Sequence, residues 1–165
     1  MNIETSRLIL RALTRDEAEA IVAGDRREKS WALDYPTPGD TMVATSAVAG
    51  GHSLATDPMP WGLFIIVETS SALSVGGIGF KNCPNESGEV EIGYGVCQSY
   101  QGRGVATEAV VAMCDFARQG AQFVIAETDC ENVASQRVLE KCGFSRVEET
   151  DQMIRWRKDT ANGEI

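Results

Sequence analysis

One stretch of this 165-residue sequence, residues 89–106, constrains the fold more than any other. It reads EVEIGYGVCQSYQGRGVA and runs from an alternating strand pattern into a glycine-containing turn that opens a helix. On the strand, Glu89, Glu91, Gly93 and Gly95 share one face, because successive side chains point to opposite sides. A glycine turn at a helix N-terminus presents free amide groups and the positive end of the helix dipole. The stretch therefore predicts a phosphate-binding turn.

The composition predicts a single globular domain over residues 1–165, with an ordered core at about residues 5–157. Apolar residues make up 43% of the chain and charged residues 24%, which is ordinary for a soluble domain. The net charge of −9 and the lack of any lysine- or arginine-rich run disfavour a nucleic-acid partner. An acidic surface suits a cationic small molecule or peptide as partner, or simply keeps the protein soluble.

Cysteine and histidine usage excludes several kinds of site. The five cysteines show no CxxC spacing and are expected to be reduced, with three of them on apolar faces. A single histidine, His52, leaves little material for a zinc site or a serine–histidine–aspartate triad, so no metal is predicted. The longest apolar run is too short to cross a membrane, and the chain is expected to be cytoplasmic.

Hydrophobic periodicity predicts an α/β domain with a mixed sheet of about seven strands and about four helices. The predicted strands cover residues 3–11, 61–68, 75–81, 89–96, 123–127, 144–149 and 152–157. The predicted helices cover residues 14–23, 40–54, 106–118 and 132–143. Periodicity is weak over residues 24–60, where aromatics and prolines are typical either of a substrate-covering segment or of an ordinary surface connection.

Two nucleotide-binding motifs are incomplete. The glycines at 76, 77 and 79 precede a turn and another strand instead of a helix, and no GxGxxG is completed. The glycines at 102 and 104 are not followed by a Gly-Lys pair with serine or threonine, as a P-loop requires. The sequence therefore excludes a dinucleotide fingerprint and disfavours a P-loop nucleotide enzyme as the explanation of the phosphate-binding turn.

Five pieces of the chain, taken in order, resemble the GNAT superfamily of acyl-CoA-dependent N-acyltransferases. The pieces are a strand, a Q-x-x-G-x-A turn with its helix, a further strand, an N-x-x-S helix start and a helix end that reads EKCGF. They lie at Gln101, Gly104 and Ala106, at Asn132 and Ser135, and at residues 140–144. The phrases TSRLILRAL, EIGYGV, GRGVATEA and NVASQRVLEKCGF resemble most the branch that includes the acetylases of ribosomal-protein N-terminal amines. The resemblance spans residues 5–157, and the ordered set is far more specific than any single piece.

This resemblance implies an α/β (α+β) fold whose mostly antiparallel central sheet is splayed between its fourth and fifth strands. The fourth strand is expected to carry a bulge near residues 94–96, and the pantetheine arm of acetyl-CoA is expected to lie in the gap like an additional strand. Gly93 and Gly95 fit a bulge or the close approach of another backbone. Alternatively, they only relieve crowding against a helix.

The resemblance also implies a set of acetyl-CoA contacts. Main-chain groups at Val96 and Gln98 are expected to bond the pantetheine amides, and the amides of residues 102–107 are expected to hold the pyrophosphate. Asn132 and Ser135 match residues beside the pantetheine and thiol, or else they are an N-cap and an ordinary surface hydroxyl. The full predicted set is Val96, Gln98, Gln101, Gly102, Arg103, Gly104, Val105, Ala106, Thr107, Asn132 and Ser135.

The chemistry that the resemblance implies is direct attack of a neutral amine on the thioester carbonyl. This requires a proton acceptor, an oxyanion donor and help for the leaving thiolate. The amide of Val96 is the expected donor and Glu91 the expected base, through a water, with Glu89 as the second candidate; either carboxylate could instead simply face solvent. Many family members carry a tyrosine in the last helix as the acid, but residues 138–141 read VLEK. Ser135, or a water it holds, is the suggested substitute, and the leaving-group role stays open.

The sequence therefore predicts an N-acetyltransferase that acts from acetyl-CoA on a small amine or a protein N-terminus. A CoA-binding sensor or interaction module of the same fold is the alternative, and the missing tyrosine favours it weakly. The acceptor pocket is expected from residues 24–60 and the last strand pair, with Trp31, Asp34 and Tyr35 as lining candidates. The family commonly forms homodimers.

Overall fold

The computed structural model describes residues 1–27, 29–51, 54 and 61–161. Within these residues the chain forms eight strands and four α-helices, with a short 3₁₀ turn at Gln98–Tyr100. The strands are β1 (Asn2–Glu4), β2 (Leu8–Ala12), β3 (Leu63–Glu68), β4 (Leu73–Phe80), β5 (Glu89–Val96), β6 (Phe123–Asp129), β7 (Ser145–Glu149) and β8 (Met153–Asp159). The helices are α1 (Arg15–Ala23), α2 (Pro38–Val48), α3 (Val105–Ala117) and α4 (Val133–Lys141).

All eight strands lie in one open sheet with the order β1-β2-β3-β4-β5-β6-β8-β7. Neighbouring strands are antiparallel except β5 and β6, which run parallel. The parallel pairing covers only three residue pairs, from Glu89 opposite Phe123 to Glu91 opposite Ile125. Beyond Glu91 the two strands separate, which confirms the splayed, mostly antiparallel mixed sheet that was predicted.

The N-terminal strand prediction was wrong in one respect. Residues 3–11 form two antiparallel strands, β1 and β2, joined by a turn in which the amide of Thr5 donates to the carbonyl oxygen of Leu8 at 2.9 Å. The described chain therefore has eight strands where about seven were predicted, and the splayed pair is the fifth and sixth. On β2, Leu8 and Leu10 are buried on one face, and Ile9 on the other face is only partly covered.

The predicted helix over residues 40–54 has different limits. It begins at Pro38, because the hydroxyl of Thr37 accepts from the amide of Asp40 at 3.1 Å and proline fits the first helical turn. It ends at Val48, and the predicted range includes residues 52–53, which lie outside the described chain.

The bulge expected near residues 94–96 was also misplaced. The register of β5 with β4 is continuous from Ile92 to Val96. The sheet is irregular one strand further away, where the β3–β4 register shifts between Ile66 and Val67. The gap beside β5 therefore comes from the divergence of β6 and not from a bulge in the β4–β5 pairing.

The helices cover the two faces of the sheet in pairs. Helix α3 contacts α4 and packs on β2, β4 and β5, whereas α1 contacts α2, and α2 packs on β5. The phenol of Tyr94 reaches α4 on one face, whereas Gly95, its neighbour on the strand, faces Thr37 beside α2 on the other. No helix in the described part of the chain has the length and apolar character needed to cross a membrane.

The core confirms the prediction that three cysteines fill apolar faces. Cys97, Cys114 and Cys142 are buried among aliphatic and aromatic side chains. Burial raises the pKa of the Cys97 and Cys114 thiols to about 12 and that of Cys142 to about 11. These thiols are therefore protonated, and they behave as small apolar groups.

Candidate functional site

Within the described residues, the start of α3, in the predicted phosphate turn, differs from the starts of the other helices. The other three helices begin with a side-chain cap, supplied by Thr14, Thr37 and Asn132. Helix α3 instead has Gly104 at its N-cap and no side-chain cap. The amide groups of its first turn, residues 105–107, are therefore available to a ligand at the positive end of the helix dipole. This arrangement suits a phosphate group.

Glycine is required at the turn by the backbone. Gly104 has φ of +78°, in the left-handed region, and an added Cβ would lie 3.3 Å from the Nη2 atom of Arg7. The guanidinium of Arg7 lies beneath the turn, and its Nη1 atom donates to the carbonyl oxygen of Arg103 at 2.9 Å. The turn is therefore held in shape by a residue from the N-terminal hairpin.

Glu108, in the first turn of α3, connects this support to the helix. Its carboxylate accepts from the hydroxyls of Thr5 (2.6 Å) and Ser6 (3.1 Å) and from the amide of Arg7 (2.9 Å), and it pairs with the Arg7 guanidinium at 2.7 Å. Partial burial favours the neutral carboxyl, but the hydrogen bonds from Thr5, Arg7 and Ser6 outweigh it and hold the pKa of Glu108 below its usual value. Sequence reasoning missed both Arg7 and Glu108, because their contact joins residues 101 positions apart.

The gap between β5 and β6 lies directly beside this turn. From Ile92 to Val96, the β6-facing edge of β5 has no strand partner among the described residues. The side-chain amide of Gln101 donates to the carbonyl oxygen of Val96 at 3.1 Å, which ties the turn to the end of the strand. Gln98 begins the 3₁₀ turn between them, and the Arg103 guanidinium stacks over the Tyr100 ring, 4.8 Å from its centroid. The structure thus brings Val96, Gln98 and the glycine turn together.

Ser135 and Asn132 meet at the start of α4. Asn132 accepts from the amide of Ser135 at 3.1 Å and is therefore the helix N-cap. The hydroxyl of Ser135 donates to the phenol oxygen of Tyr94 at 3.0 Å, and the phenol donates to the Ser135 carbonyl oxygen at 3.2 Å. Burial raises the pKa of Tyr94 to about 12, although the bond from Ser135 opposes this. Sequence reasoning identified Ser135 but missed Tyr94, which places a phenol beside α4 from the neighbouring strand.

The two strand carboxylates have different partners. Glu91 forms an ion pair with Lys81, which lines the cavity described next. Glu89 pairs with Arg155 at 3.3 Å and Arg157 at 3.8 Å on β8. Two guanidinium groups therefore bind Glu89 to the far half of the sheet, while Glu91 stays at the margin of the cavity.

A cavity of about 540 Å³ lies between α2 and the glycine-bearing part of β4 and β5. Of the three predicted lining residues, Tyr35 lines it, whereas Trp31 and Asp34 do not. Trp31 packs edge-on against Tyr35 at 5.3 Å. Asp34 accepts from the amide (2.9 Å) and hydroxyl (2.6 Å) of Ser99, and these bonds lower its pKa. Among the described residues, the last strand pair does not contribute to this lining, although a contribution was predicted.

Asp40 is a cavity residue that sequence reasoning did not single out. Its Oδ2 atom accepts from the amide (2.9 Å) and hydroxyl (2.8 Å) of Thr37, in a capping box at the start of α2. Its Oδ1 atom lies over Gly77, where any added Cβ would collide with it. Burial raises the pKa of Asp40 above its usual value, against the effect of the Thr37 bonds. The Thr-Pro-Gly-Asp spacing is the sequence signal that could have identified it.

Comparison with known sequences gives one family. A family model described as "Acetyltransferase (GNAT) domain" matches residues 7–145. The chain is 35% identical over 83 residues to YjdG, an uncharacterized N-acetyltransferase of Bacillus subtilis (strain 168), covering 49% of each protein. It is 28% identical over 149 residues to YoaA, another uncharacterized N-acetyltransferase of that strain, covering 87% of this chain and 82% of YoaA. The matched region thus spans about half the length of YjdG.

Solved structures share the fold at low sequence identity. The ribosomal-protein α-N-acetyltransferase RimL, solved in complex with coenzyme A, gives a TM-score of 0.69 at 18% identity, covering 96% of this chain and 98% of RimL. A GNAT-family acetyltransferase from Bacillus anthracis gives 0.68 at 20% identity, covering 98% and 100%. A ribosomal-protein alanine acetyltransferase from Vibrio fischeri gives 0.67 at 17% identity, covering both chains fully.

Proposed function

The chain belongs to the GNAT acetyltransferase family, and on that premise we propose that it transfers an acetyl group from acetyl-CoA to a primary amine. The acceptor is an amine of a small molecule or of a protein N-terminus. One observation carries the proposal: the uncapped, glycine-led start of α3 adjoins a strand edge that β6 leaves open. An anionic head and an amide-containing arm, joined in one molecule, match this pair of features.

We propose that acetyl-CoA, the acyl donor, binds along the start of α3 and the open edge of β5. The amides of residues 102–107 receive the pyrophosphate, and the main chain of Val96 and Gln98 pairs with the pantetheine arm, as an added strand would. Arg103 stands at the turn, and Asn132 and Ser135 flank the far side of the gap. Gln101 contributes by fixing the carbonyl of Val96, which its side chain already bonds.

The reaction proposed is direct attack of the neutral amine nitrogen on the thioester carbonyl carbon. A C–N bond forms, the C–S bond breaks, and the amine loses a proton while the thiolate gains one. The amide of Val96 stabilises the oxyanion. Glu91 accepts the proton through a water, a role supported by its place on the strand face of Gly93 and Gly95, which line the cavity. Lys81, its ion-pair partner, holds the carboxylate at the cavity margin.

We propose that the hydroxyl pair of Ser135 and Tyr94 donates to the leaving thiolate. The sequence of α4 lacks the family's tyrosine, but Tyr94 reaches the same helix from β5 and bonds Ser135. Its raised pKa, about 12, keeps the phenol protonated at neutral pH, so that it can donate. This pair weakens the case for a module that has lost catalysis.

An amine-panel assay tests the function. The protein is incubated with acetyl-CoA and with each of several small primary amines and peptides that have free N-termini, and release of free thiol is followed over time. Amine-dependent thiol release with acetylated product in the mass spectrum supports the proposal. Tight CoA binding with no release above the amine-free background across the panel would instead support the sensor.

A further inference from the structure

The cavity beside α2 contains a carboxylate in largely apolar surroundings. Most of the residues that line it are aliphatic, aromatic or glycine, including Leu13, Ile21, Phe64 and Ile78. Asp40 enters this lining from the first turn of α2. A volume of about 540 Å³ is in the range of small-molecule sites.

Among the described residues that line the cavity, none is a free cation that could pair with Asp40. Among the described residues there, Asp40 and Lys81 carry charge, and Lys81 is already paired with Glu91. Among the described residues, the hydrogen bonds that Asp40 accepts on its side chain come from Thr37 and engage its Oδ2 atom. A partly buried carboxylate with no cation beside it among the described lining residues is unfavourable, and an arriving ammonium group would compensate it.

The position of Asp40 relates it to the expected reaction centre. Its Oδ1 atom lies over Gly77, which pairs with Gly95 in the β4–β5 register. Thr37, its capping partner, lies over Gly95 itself, with Oγ1 3.4 Å from the position of an added Cβ. Gly95 directly precedes Val96, the proposed oxyanion donor. The carboxylate therefore lies over β4, one strand away from the open edge of β5, on the sheet face that α2 covers.

We propose that this cavity binds a small primary amine with an apolar body, and that the Asp40 carboxylate receives its ammonium group. The inference rests on the proposed acetyltransferase function and adds the class of acceptor. Asp40 then selects and positions the amine, while the apolar lining holds the body. The raised pKa of Asp40 agrees with a carboxylate that is desolvated and has no cationic partner in the described part of the chain.

The capping role of Asp40 must be separated from the binding role, and the chain provides a matched control. Helix α1 has the same capping box, with Thr14 at the N-cap and Glu17 in the place of Asp40. Glu17→Gln therefore removes one capping carboxylate outside the cavity lining, as Asp40→Asn does within it. An asparagine at 40 also keeps an oxygen that can accept from Thr37, so the helix start is preserved.

The test compares amines with alcohols of the same shape. Calorimetry in saturating free CoA measures the binding of phenethylamine against phenethyl alcohol, and of isoamylamine against isoamyl alcohol. The wild type should bind each amine about tenfold or more tightly than its alcohol. Asp40→Asn should abolish that preference with CoA affinity unchanged, and Glu17→Gln should retain it.

Equal binding of amine and alcohol to the wild type would overturn the inference, and so would an unchanged preference in Asp40→Asn. If spermidine or an alanyl peptide bound more tightly than both apolar amines, the proposed preference for an amine with an apolar body would be wrong. Thiol release with acetyl-CoA is measured on the same samples. A preference for amines without thiol release would contradict only the proposed acetyl transfer. Thiol release by Asp40→Asn with the KM and kcat of the wild type would contradict only the proposed role of Asp40.

Discussion

Arg7 pairs with Glu108 at 2.7 Å and, through a second guanidinium nitrogen, bonds the carbonyl oxygen of Arg103 at 2.9 Å. This contact joins the turn between β1 and β2 to the first turn of α3. The proposed pyrophosphate turn is therefore shaped by residues that lie outside the turn itself. The Arg7 side chain is 53% exposed, so its ion pair contributes modestly to stability, and its main effect is on the shape of the turn.

Glu108→Gln is expected to weaken acetyl-CoA binding by up to about fivefold, because the loss of one partly exposed ion pair is worth about 1 kcal/mol or less. Calorimetric titration measures it. Glu19→Gln is the control, since it removes a surface ion pair with Arg15 on α1, away from the turn. An equal loss of affinity in both variants would contradict the role given to Glu108.

The carboxyl of Glu108 should account for part of the stability that the fold loses at acid pH. The pKa of Glu108 is lower in the folded chain than its ordinary value of 4.5. Its contribution to the free energy of unfolding is therefore complete above pH 4.5 and is lost as the pH falls through the folded pKa. Denaturant titrations at a series of pH values should show a shallower decline below pH 4.5 for Glu108→Gln than for the wild type. Parallel declines would contradict this.

Gly104→Glu is expected to abolish measurable acetyl-CoA binding, because it places bulk and negative charge where the pyrophosphate is proposed to lie. Part of any effect would be backbone strain, about 1–2 kcal/mol for a side chain in the left-handed region. Gly24→Glu reproduces that strain at the end of α1, where φ is +64° and no atom lies within 4 Å of an added Cβ. Unchanged CoA affinity in Gly104→Glu would overturn the site, and an equal loss in Gly24→Glu would assign the effect to strain.

Glu91→Gln is expected to lower kcat by about 100-fold or more, as the loss of a general base does, with little change in the Kd of acetyl-CoA. Glu89→Gln is the matched control two residues away on the same strand face. Because Glu89 pairs with Arg155 and Arg157, its replacement should lower stability more than turnover. Wild-type turnover of Glu91→Gln across the pH range would place the base elsewhere.

Ser135→Ala and Tyr94→Phe are each expected to lower kcat about tenfold if the two hydroxyls act as one unit on the leaving thiolate. Their double variant should then lose little more than either single one, since the effects of residues in one hydrogen-bonded unit do not add. Steady-state kinetics of the four proteins measure this coupling. Fully additive losses, or a loss of stability without a change in kcat, would contradict a shared role.

The strand–turn–helix around residues 89–106 was readable from the sequence, because period-two and helical patterns and glycine punctuation are local signals. The structure confirms it as β5 followed by α3. The contacts that support the site were not readable. The pairing of Arg7 with Glu108 and of Lys81 with Glu91 depends on which strands become neighbours, and no local pattern specifies that.

The proposed acceptor cavity, like the phosphate turn, was only partly predictable from the sequence. Tyr35 lines the cavity, whereas Trp31 and Asp34 lie in the same short segment and face other partners. Asp40 was visible only as part of a helix signal. Its place over Gly77 depends on how α2 packs on the sheet, which a weakly periodic segment does not determine.

The short β5–β6 pairing has a consequence for cooperativity. Three residue pairs join β1–β5 to β6–β8, and beyond them the chain supplies no further strand hydrogen bonds across the gap in its described part. A bound molecule that bridges the gap would therefore make two half-sheets open and close as one unit. Amide hydrogen exchange in β6 would then slow whenever the gap is filled, which makes occupancy measurable without any turnover.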